Sequence, residues 1–504
     1  MKTDTPRGKA AQRYTVLAAA RETVLDRARK ASGLTIPGLV PEEGQNEHYS
    51  FSQPYQSIGA RCVSHLTSAL LLALFPAGIP FFRLNIDEKI VAELGAGVAD
   101  ANQALAVISR TIHNRMEQAA VRAAGPNVLR HLIVAGNVLL FAPEKGVARV
   151  YRIDQYVIRR DTSGGLIEAV VKERIHPSEL PEVVRQSSGV AADATEMVDV
   201  YTHITRGDDD KLVWHQEVAG AVVPGSEGTS PRDASPWLAL RWQAVPGSDY
   251  GRSHVTEFIG DFLSLEDLQK AMVEFAMVAS RIIHIVDPNA GIDIEELAAA
   301  ESGDYLTGFA DRITTLQLDK FSDWRVMADV AGNLERRLGA AFLLSTAVTR
   351  DAERVTAEEV RLVAQELENI LGGTYTVLAS EMQLPLVRRY MYLEQRAGTV
   401  PKLPGVTPVI TTGFDALGRA HSVNRIRAFV GDLVAVLGPQ AAQSLLNGVE
   451  LAKRLGEGHG VDGLADLLKT PEQLQEEQQA AMSASAVQSA APQIAKAAAE
   501  AASE

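Results

Sequence analysis

The sequence predicts an α+β protein, mainly helical, and three observations carry that prediction. Val326, Val330, Leu334, Leu338 and Phe342 recur every four residues after Ser322, a good N-cap, which places one apolar stripe on a long helix. From Ala148 the period changes from helical to strand-like, with Val150, Tyr151, Ile153, Tyr156, Val157 and Ile158 close together. Third, a short mixed insert separates two long helical stretches, Ser253 to Ile283 and the helix from Ser322. With 504 residues the chain is long enough for a large core and more than one domain.

The first element is a mixed-charge helix from Gly8 to Arg29, followed by a loop from Pro37 to Gln53. Val63 to Phe82 is apolar around Leu70-Leu-Leu-Ala-Leu-Phe75, with His65, Thr67 and Ser68 before that centre and Pro76, Gly78 and Pro80 after it. The unbroken run falls short of the roughly 20 residues a membrane span needs, so it is a buried core helix. Ile90 to Ala123 forms one or two amphipathic helices. A turn at Ser163-Gly-Gly165 then leads to a strand at Leu166–Val171, and a hairpin pairs Met197–Thr205 with Lys211–Val218 around Arg206-Gly-Asp-Asp-Asp210. His203 and His215 lie on those strands with no carboxylate at ligand spacing, which makes them structural residues, not a metal site.

Leu265, Leu268, Met272, Phe275 and Ala279 fall at three- and four-residue steps along Ser253–Ile283, with a possible restart at Ser264. Asp287-Pro-Asn-Ala-Gly291 stops that helix. A short helix (Ile294 to Ala300) and strands at Asp304–Thr307 and Ile313–Leu318 follow, so the flanking helices run antiparallel. Beyond the second helix comes a charged loop, Ser345 to Val355. The next helix opens on a capping box, Thr356-Ala-Glu-Glu359, and has an apolar face of Val360, Val363, Leu367, Ile370 and Leu371. Its opposite face is a polar stripe of Glu358, Arg361, Gln365 and Glu368. Gly372-Gly373 costs roughly 1 kcal/mol per glycine against alanine, predicting a kink, and Pro385 predicts a second break. A connector at Thr399–Pro408, a strand at Val409–Thr412 and a glycine-punctuated helical region from Phe414 to Leu468 complete the ordered chain. From Pro471 the composition turns to Gln, Ala, Ser and Glu, and no aromatic residue follows Phe429; this tail is disordered or loosely helical.

The net charge of −14 is not that of a generic nucleic-acid binder, whose surface is basic. One cysteine, Cys62, excludes an internal disulfide framework and a cysteine-rich zinc site, and fits a reducing compartment. The polar N-terminus has no apolar core of a signal peptide. No phosphate-loop, His-Glu-x-x-His or Gly-x-Ser-x-Gly signature occurs. Gly458-His-Gly-Val-Asp-Gly463 matches the dinucleotide pattern but follows a helical segment and lies in no βαβ unit. Acid pairs such as Glu295-Glu296 and Glu358-Glu359 are explained by first-turn helix positions. No catalytic site, metal site or cofactor is expected.

Several segments resemble the portal (head-to-tail connector) proteins of T7-like short-tailed bacteriophages. They are Val134-Ala-Gly-Asn-Val-Leu-Leu140, Asp199-Val-Tyr-Thr-His203, Tyr250-Gly-Arg-Ser253 and Arg354-Val-Thr-Ala-Glu-Glu359, with Leu371-Gly-Gly-Thr-Tyr and Gln383-Leu-Pro-Leu-Val-Arg388. The resemblance runs from about Tyr14 to Arg419. It implies the portal fold, a homo-dodecameric ring with a central channel for double-stranded DNA. Residues 1–250 with the strand near Val409 (connector 397–413) would form the wing, 251–283 and 322–344 the stem, and 284–321 the clip. Residues 345–355 would form the tunnel loop, 356–396 the kinked channel helix and 414–470 a crown. The resemblance assigns Thr349, Arg350, Asp351, Glu353 and Arg354 to the tunnel loop and Glu358, Arg361, Gln365 and Glu368 to a valve helix kinked at Gly372 and Gly373. It assigns Asp287, Asn289, Glu295, Glu296, Asp304, Asp311 and Arg312 to a clip that docks the terminase large subunit and later the tail adaptor and tail tube. Major capsid, scaffolding and internal core proteins are the other implied partners, with no membrane. The implied location is the portal vertex of the virion, after assembly in the host cytoplasm. The second reading is another ring-forming virion protein, such as a tail adaptor or internal core protein.

Overall fold

The computed structural model describes residues 10–45, 49–76, 80–87, 90, 98–188, 196–279, 283–287, 293–301, 305, 313–316, 321–344, 371, 373–402, 405–410, 426–446, 448, 451–452 and 455. The chain divides into two compact units, Met1–Gly413 and Phe414–Glu504. The protein mixes helix and strand, with helix predominating.

Helix Ile58–Leu74 shows how the larger unit is built. Ile58, Cys62, Leu66, Leu70 and Ala73 repeat at three- and four-residue steps and are all buried, because this face packs on helix Val121–Ala135. Among the described residues no helix is long and apolar enough to cross a membrane. Helix Ala10–Thr35 runs six residues past the expected end at Arg29, since Ala31 and Leu34 are buried against this helical core. Helices Val98–Gln118 and Val121–Ala135 break at Ala120, which has φ 53°.

The largest sheet is antiparallel. Its strands β4 (Tyr156–Arg160), β5 (Leu166–Ile175), β6 (Val198–Arg206) and β7 (Lys211–Val218) lie in sequence order. Two short strands, β8 (Ala221–Val222) and β9 (Gly228–Pro231), both pair with β7. The hairpin register sets His203 opposite His215, close to the predicted pairing. The outer edge of β4 is closed by side chains: the Ile158 amide donates to the Tyr250 hydroxyl (3.1 Å) and the Arg160 amide to Asp249 Oδ1 (2.6 Å). Such an edge has no free amide row to recruit another strand. A second sheet is ordered β10 (Trp237–Arg241), β2 (Asn137–Phe141), β3 (Arg149–Tyr151). Strand β1 (Phe82–Ile86) pairs with β13 (Val406–Ile410), so the late strand begins three residues before the expected Val409.

The expectation that no carboxylate lies near His203 and His215 is corrected. Folding brings Glu168 Oε1 to 2.9 Å from His203 Nε2 and Glu217 Oε1 to 2.9 Å from His215 Nε2. Glu168 reaches His203 across neighbouring strands, which spacing along one strand could not reveal, whereas Glu217 stands two positions from His215 on the same face of β7 and was open to a sequence reading. These glutamates also anchor the first helix: Ala10 N donates to Glu217 Oε2 (2.8 Å), and Arg13 forks onto Glu168 (2.9 and 2.6 Å). Burial pushes the Glu168 carboxyl up, but the hydrogen bonds from His203 and Arg13 outweigh it and hold it at about 2. The histidines are thus structural, and among the described residues no group of three His, Cys, Asp or Glu side chains is arranged to hold a metal ion.

In the second unit, 426–437 and Pro439–Leu445 are helical. Gly458–Gly463 and the tail from Pro471 lie outside the described residues.

Candidate functional site

Two of the segments read from the sequence meet in space. Gly136 ends helix Val121–Ala135 with φ 75°, and its carbonyl accepts the Trp242 amide (2.9 Å). The Asn137 side chain donates to the Gly251 carbonyl (2.9 Å) and accepts the Gly251 amide (2.7 Å). A Cβ on Gly136 would stand 2.6 Å from Ser253 N and 2.7 Å from Arg252 C, so only glycine allows this approach. Ser253 then caps helix His254–Glu257 by accepting the Thr256 amide (3.0 Å). The joint fixes the direction in which the chain leaves the body.

What leaves is a pair of long helices, Ile259–Ala279 and Phe321–Ala341. The first restarts after Phe258, earlier than the expected Ser264. Arg337, late in the second helix, reaches Asp261, early in the first (2.9 Å), so the two run antiparallel. Phe262, Leu265, Leu334, Leu338 and Phe342 bury the root of the pair in the main core. The outer half differs. Val326 (63% exposed) and Val330 (44%), expected to share one buried stripe, face solvent, as do Met277 (63%) and Val278 (50%). Between the helices, β11 (Ile283–Val286) pairs antiparallel with β12 (Ile313–Leu316). The expected continuation of helix to Ile283 is therefore corrected: the β-branched run Ile282-Ile-His-Ile-Val286 favours a strand. The expected strand Asp304–Thr307 lies outside the described residues except Tyr305, which has no regular structure. Helix Ile294–Ala299 is capped by Asp293, whose carboxylate accepts the Glu295 (2.8 Å) and Glu296 amides.

Above the root, helix Phe321–Ala341 ends on Leu343, with φ 62°, and the Leu344 amide donates to the Gly339 carbonyl (2.7 Å). His254 Nε2 stands 3.1 Å from the Ala341 carbonyl, and its ring lies among Trp242, Phe258 and Phe342. Burial lowers the His254 pKa, so the imidazole is neutral and its Nε2–H donates to that carbonyl. The chain re-enters the same core at Leu371, Leu378 and Met382. Helix Gly373–Leu378 passes into a π-turn, Ala379–Gln383, and then helix Leu384–Ala397. Pro385 therefore does not break the helix. It lacks an amide for residue 381 and would crowd that carbonyl, and the widened turn removes both conflicts. The turn is fastened twice: Gln383 Nε2 donates to the Leu74 carbonyl (2.6 Å), and Glu381 pairs with Arg241, whose side chain is 9% exposed.

Of the predicted site residues, Gly373 is exposed at the start of its helix, Asp287 is half-buried after β11, and Glu295 and Glu296 are exposed on the short helix. Thr349, Arg350, Asp351, Glu353, Arg354, Glu358, Arg361, Gln365, Glu368, Gly372, Asn289, Asp304, Asp311 and Arg312 lie outside the described residues, as does the Thr356–Glu359 capping box. Sequence reasoning passed over His254, Glu381 and Arg241, whose partners are 87 and 140 positions away.

The family profile for the bacteriophage head to tail connecting protein matches residues 7–464. The chain belongs to that family. It is 37% identical over 464 residues to the portal protein of Escherichia phage T7, covering 89% of this chain and 86% of that one. It is 31% identical over 418 residues to the portal protein of Enterobacteria phage SP6, covering 81% and 80%, and 33% identical over 419 residues to that of Pseudomonas phage phiKMV, covering 80% of each. A solved chain titled as part of the virion of a native gene transfer agent particle overlaps with a TM-score of 0.39 at 12% identity, covering 86% of this connector and 93% of that chain. That overlap is too loose to bear on how the parts are arranged. The connector's relatives are structural proteins, not enzymes.

Proposed function

We infer that this connector is the portal protein of a short-tailed phage, a component of the virion at the head-to-tail junction. The observation that carries the reading is 37% identity to a portal protein along 89% of the chain. We assign the body up to Tyr250, with β13, to a wing, the two long helices to a stem, and β11, helix Ile294–Ala299 and β12 to a clip. Twelve copies form a ring around a channel for double-stranded DNA. The exposed Val326, Val330, Met277 and Val278 support this, since neighbouring stems would cover them.

Residues 345–355 form a tunnel loop and 356–396 the kinked channel helix. A wall that neutralised many phosphates would hold DNA through counterion release at every contact, whereas a conduit must let it slide. The chain's net charge of −14 suits a channel that repels the duplex toward its axis. Arg350, Arg354 and Arg361, repeated by symmetry, grip it at one level. The clip, with Asp287, Glu295 and Glu296 on its described surface, docks the terminase large subunit during packaging and the tail adaptor afterwards; capsid and scaffolding proteins meet the wing. Negative-stain imaging with light scattering tests the reading. The expected result is rings with a central hole and a mass about twelve times the 54.2 kDa chain. A small closed dimer would overturn it.

A further inference from the structure

A groove of about 1010 Å³ opens between helix Leu384–Ala397 and the β7–β9 side of the large sheet. Phe141, Trp214, His215 and Tyr392 give it aromatic walls, and Arg389 and Arg396 supply cationic groups. Arg396 is already paired with Glu144 (3.0 Å). Arg389 is not. It is 5% exposed, and its Nε and Nη1 donate to the backbone carbonyls of Ala142 (3.2 Å) and Ala234 (3.3 Å). Among the described residues no carboxylate lies within ion-pair range of it, and Nη2 is neither partnered nor sealed from the groove. Glu144 offsets part of its charge from beyond ion-pair range, but a guanidinium held out of water and hydrogen-bonded only to carbonyls still gains from an incoming anion. Burial pushes its pKa down, which is the same tension seen from the proton's side.

We propose that this groove is a docking site for an extended peptide of a partner protein that carries one carboxylate, set on Arg389, and an aromatic side chain between Trp214 and Tyr392. Charge selects the peptide over nucleic acid. Among the described residues the groove offers one cation without an ion pair, while Glu144 and Glu227 also line it, so a single carboxylate is welcome and a run of phosphates is not. Strand β9, on the groove's rim, pairs only with β7 among the described residues, which suits an extended ligand. Neither the ring nor the channel requires this site, so it goes beyond the portal reading.

The test is fluorescence anisotropy on the full-length protein with three labelled probes: the C-terminally amidated peptide Gln-Trp-Asn-Glu-Phe-Asn, acidic at one position, its amide counterpart Gln-Trp-Asn-Gln-Phe-Asn, and hexathymidylate. The acidic peptide is expected to saturate binding, with the amide peptide at least about tenfold weaker, as for loss of a hydrogen bond to a charged group. Arg389→Gln should weaken the acidic peptide by the same factor. Because Arg389 also ties two buried carbonyls, Thr229→Trp provides a second variant, filling the groove from an exposed position of β9. It should also reduce binding at least about tenfold with an unchanged unfolding midpoint. Equal binding of both peptides, preference for hexathymidylate, no saturation, or undiminished binding by Thr229→Trp would each overturn the proposal. Loss of rings in Thr229→Trp would likewise overturn it, showing that another copy fills the groove. Rings that form normally but bind no peptide would leave the portal reading standing alone.

Discussion

Replacing Glu381 with alanine isolates what holds the π-turn to the body. Glu381 pairs with Arg241, whose side chain is 9% exposed, while the glutamate is 25% exposed. Removing the carboxylate strands a buried guanidinium next to Arg160, whose pKa is lowered first by burial and then by Arg241 itself. Breaking a buried pair from one side costs about 3–5 kcal/mol. Partial access of water to the glutamate side brings this to about 2–3 kcal/mol. Thermal unfolding followed by circular dichroism should then show a loss of about 2–3 °C, taking about 1 °C per kcal/mol from an unfolding entropy of about 2.1 cal/mol/K per residue over 504 residues. Glu381→Gln, which keeps the shape, should lose nearly as much. The double replacement Arg241→Met with Glu381→Met should recover most of it, because no charge is then left unpaired. A loss under about 1 °C for Glu381→Ala, or a double variant as unstable as the single, would refute the reasoning.

Four other outcomes are expected. Burial, with a smaller push from Arg152, holds the His131 pKa at about 4. Its neutral form is favoured on folding, so its contribution is full above pH 6.5 and is lost as the pH falls toward 4, a span worth roughly 3 kcal/mol; His131→Met should flatten the stability–pH slope in that window, and an unchanged slope counts against the assignment. Gly136→Ala should destabilise by about 3 kcal/mol or prevent folding, because φ 75° and contacts of 2.6 and 2.7 Å with backbone leave no room; a native unfolding midpoint would contradict this. Val326→Asp with Val330→Asp should leave the protomer folded yet abolish rings in light scattering, since both are exposed in the protomer; intact rings would mean that this face is not an interface. Arg361→Ala should leave rings intact and reduce DNA retention in a packaging assay, and failure to form rings would make Arg361 structural instead.

The sequence by itself determined the order of elements: a helical body, a β-rich block from Ala148, two long helices around a small insert, and a further helical stretch on either side of Pro385. Each follows from local period and composition, which act within a few residues of chain. It also contained Val134-Ala-Gly-Asn-Val and Tyr250-Gly-Arg-Ser, but not the reason those residues are needed. That Gly136, Asn137 and Gly251 form one joint was decided only by the fold, which brings positions 114 apart to hydrogen-bonding distance. The same holds for His203 with Glu168, His254 with Ala341 and Glu381 with Arg241, pairs made across strands and helices. The even apolar stripe from Val326 to Phe342 did not reveal that only its inner half is buried within the protomer, because burial depends on what else arrives at that face. Pro385 was legible as a conflict in the helix, whereas its resolution as a π-turn was not. The extra residue in that turn is held by Gln383 on Leu74 and by Glu381 on Arg241, contacts that exist only once the helix has docked.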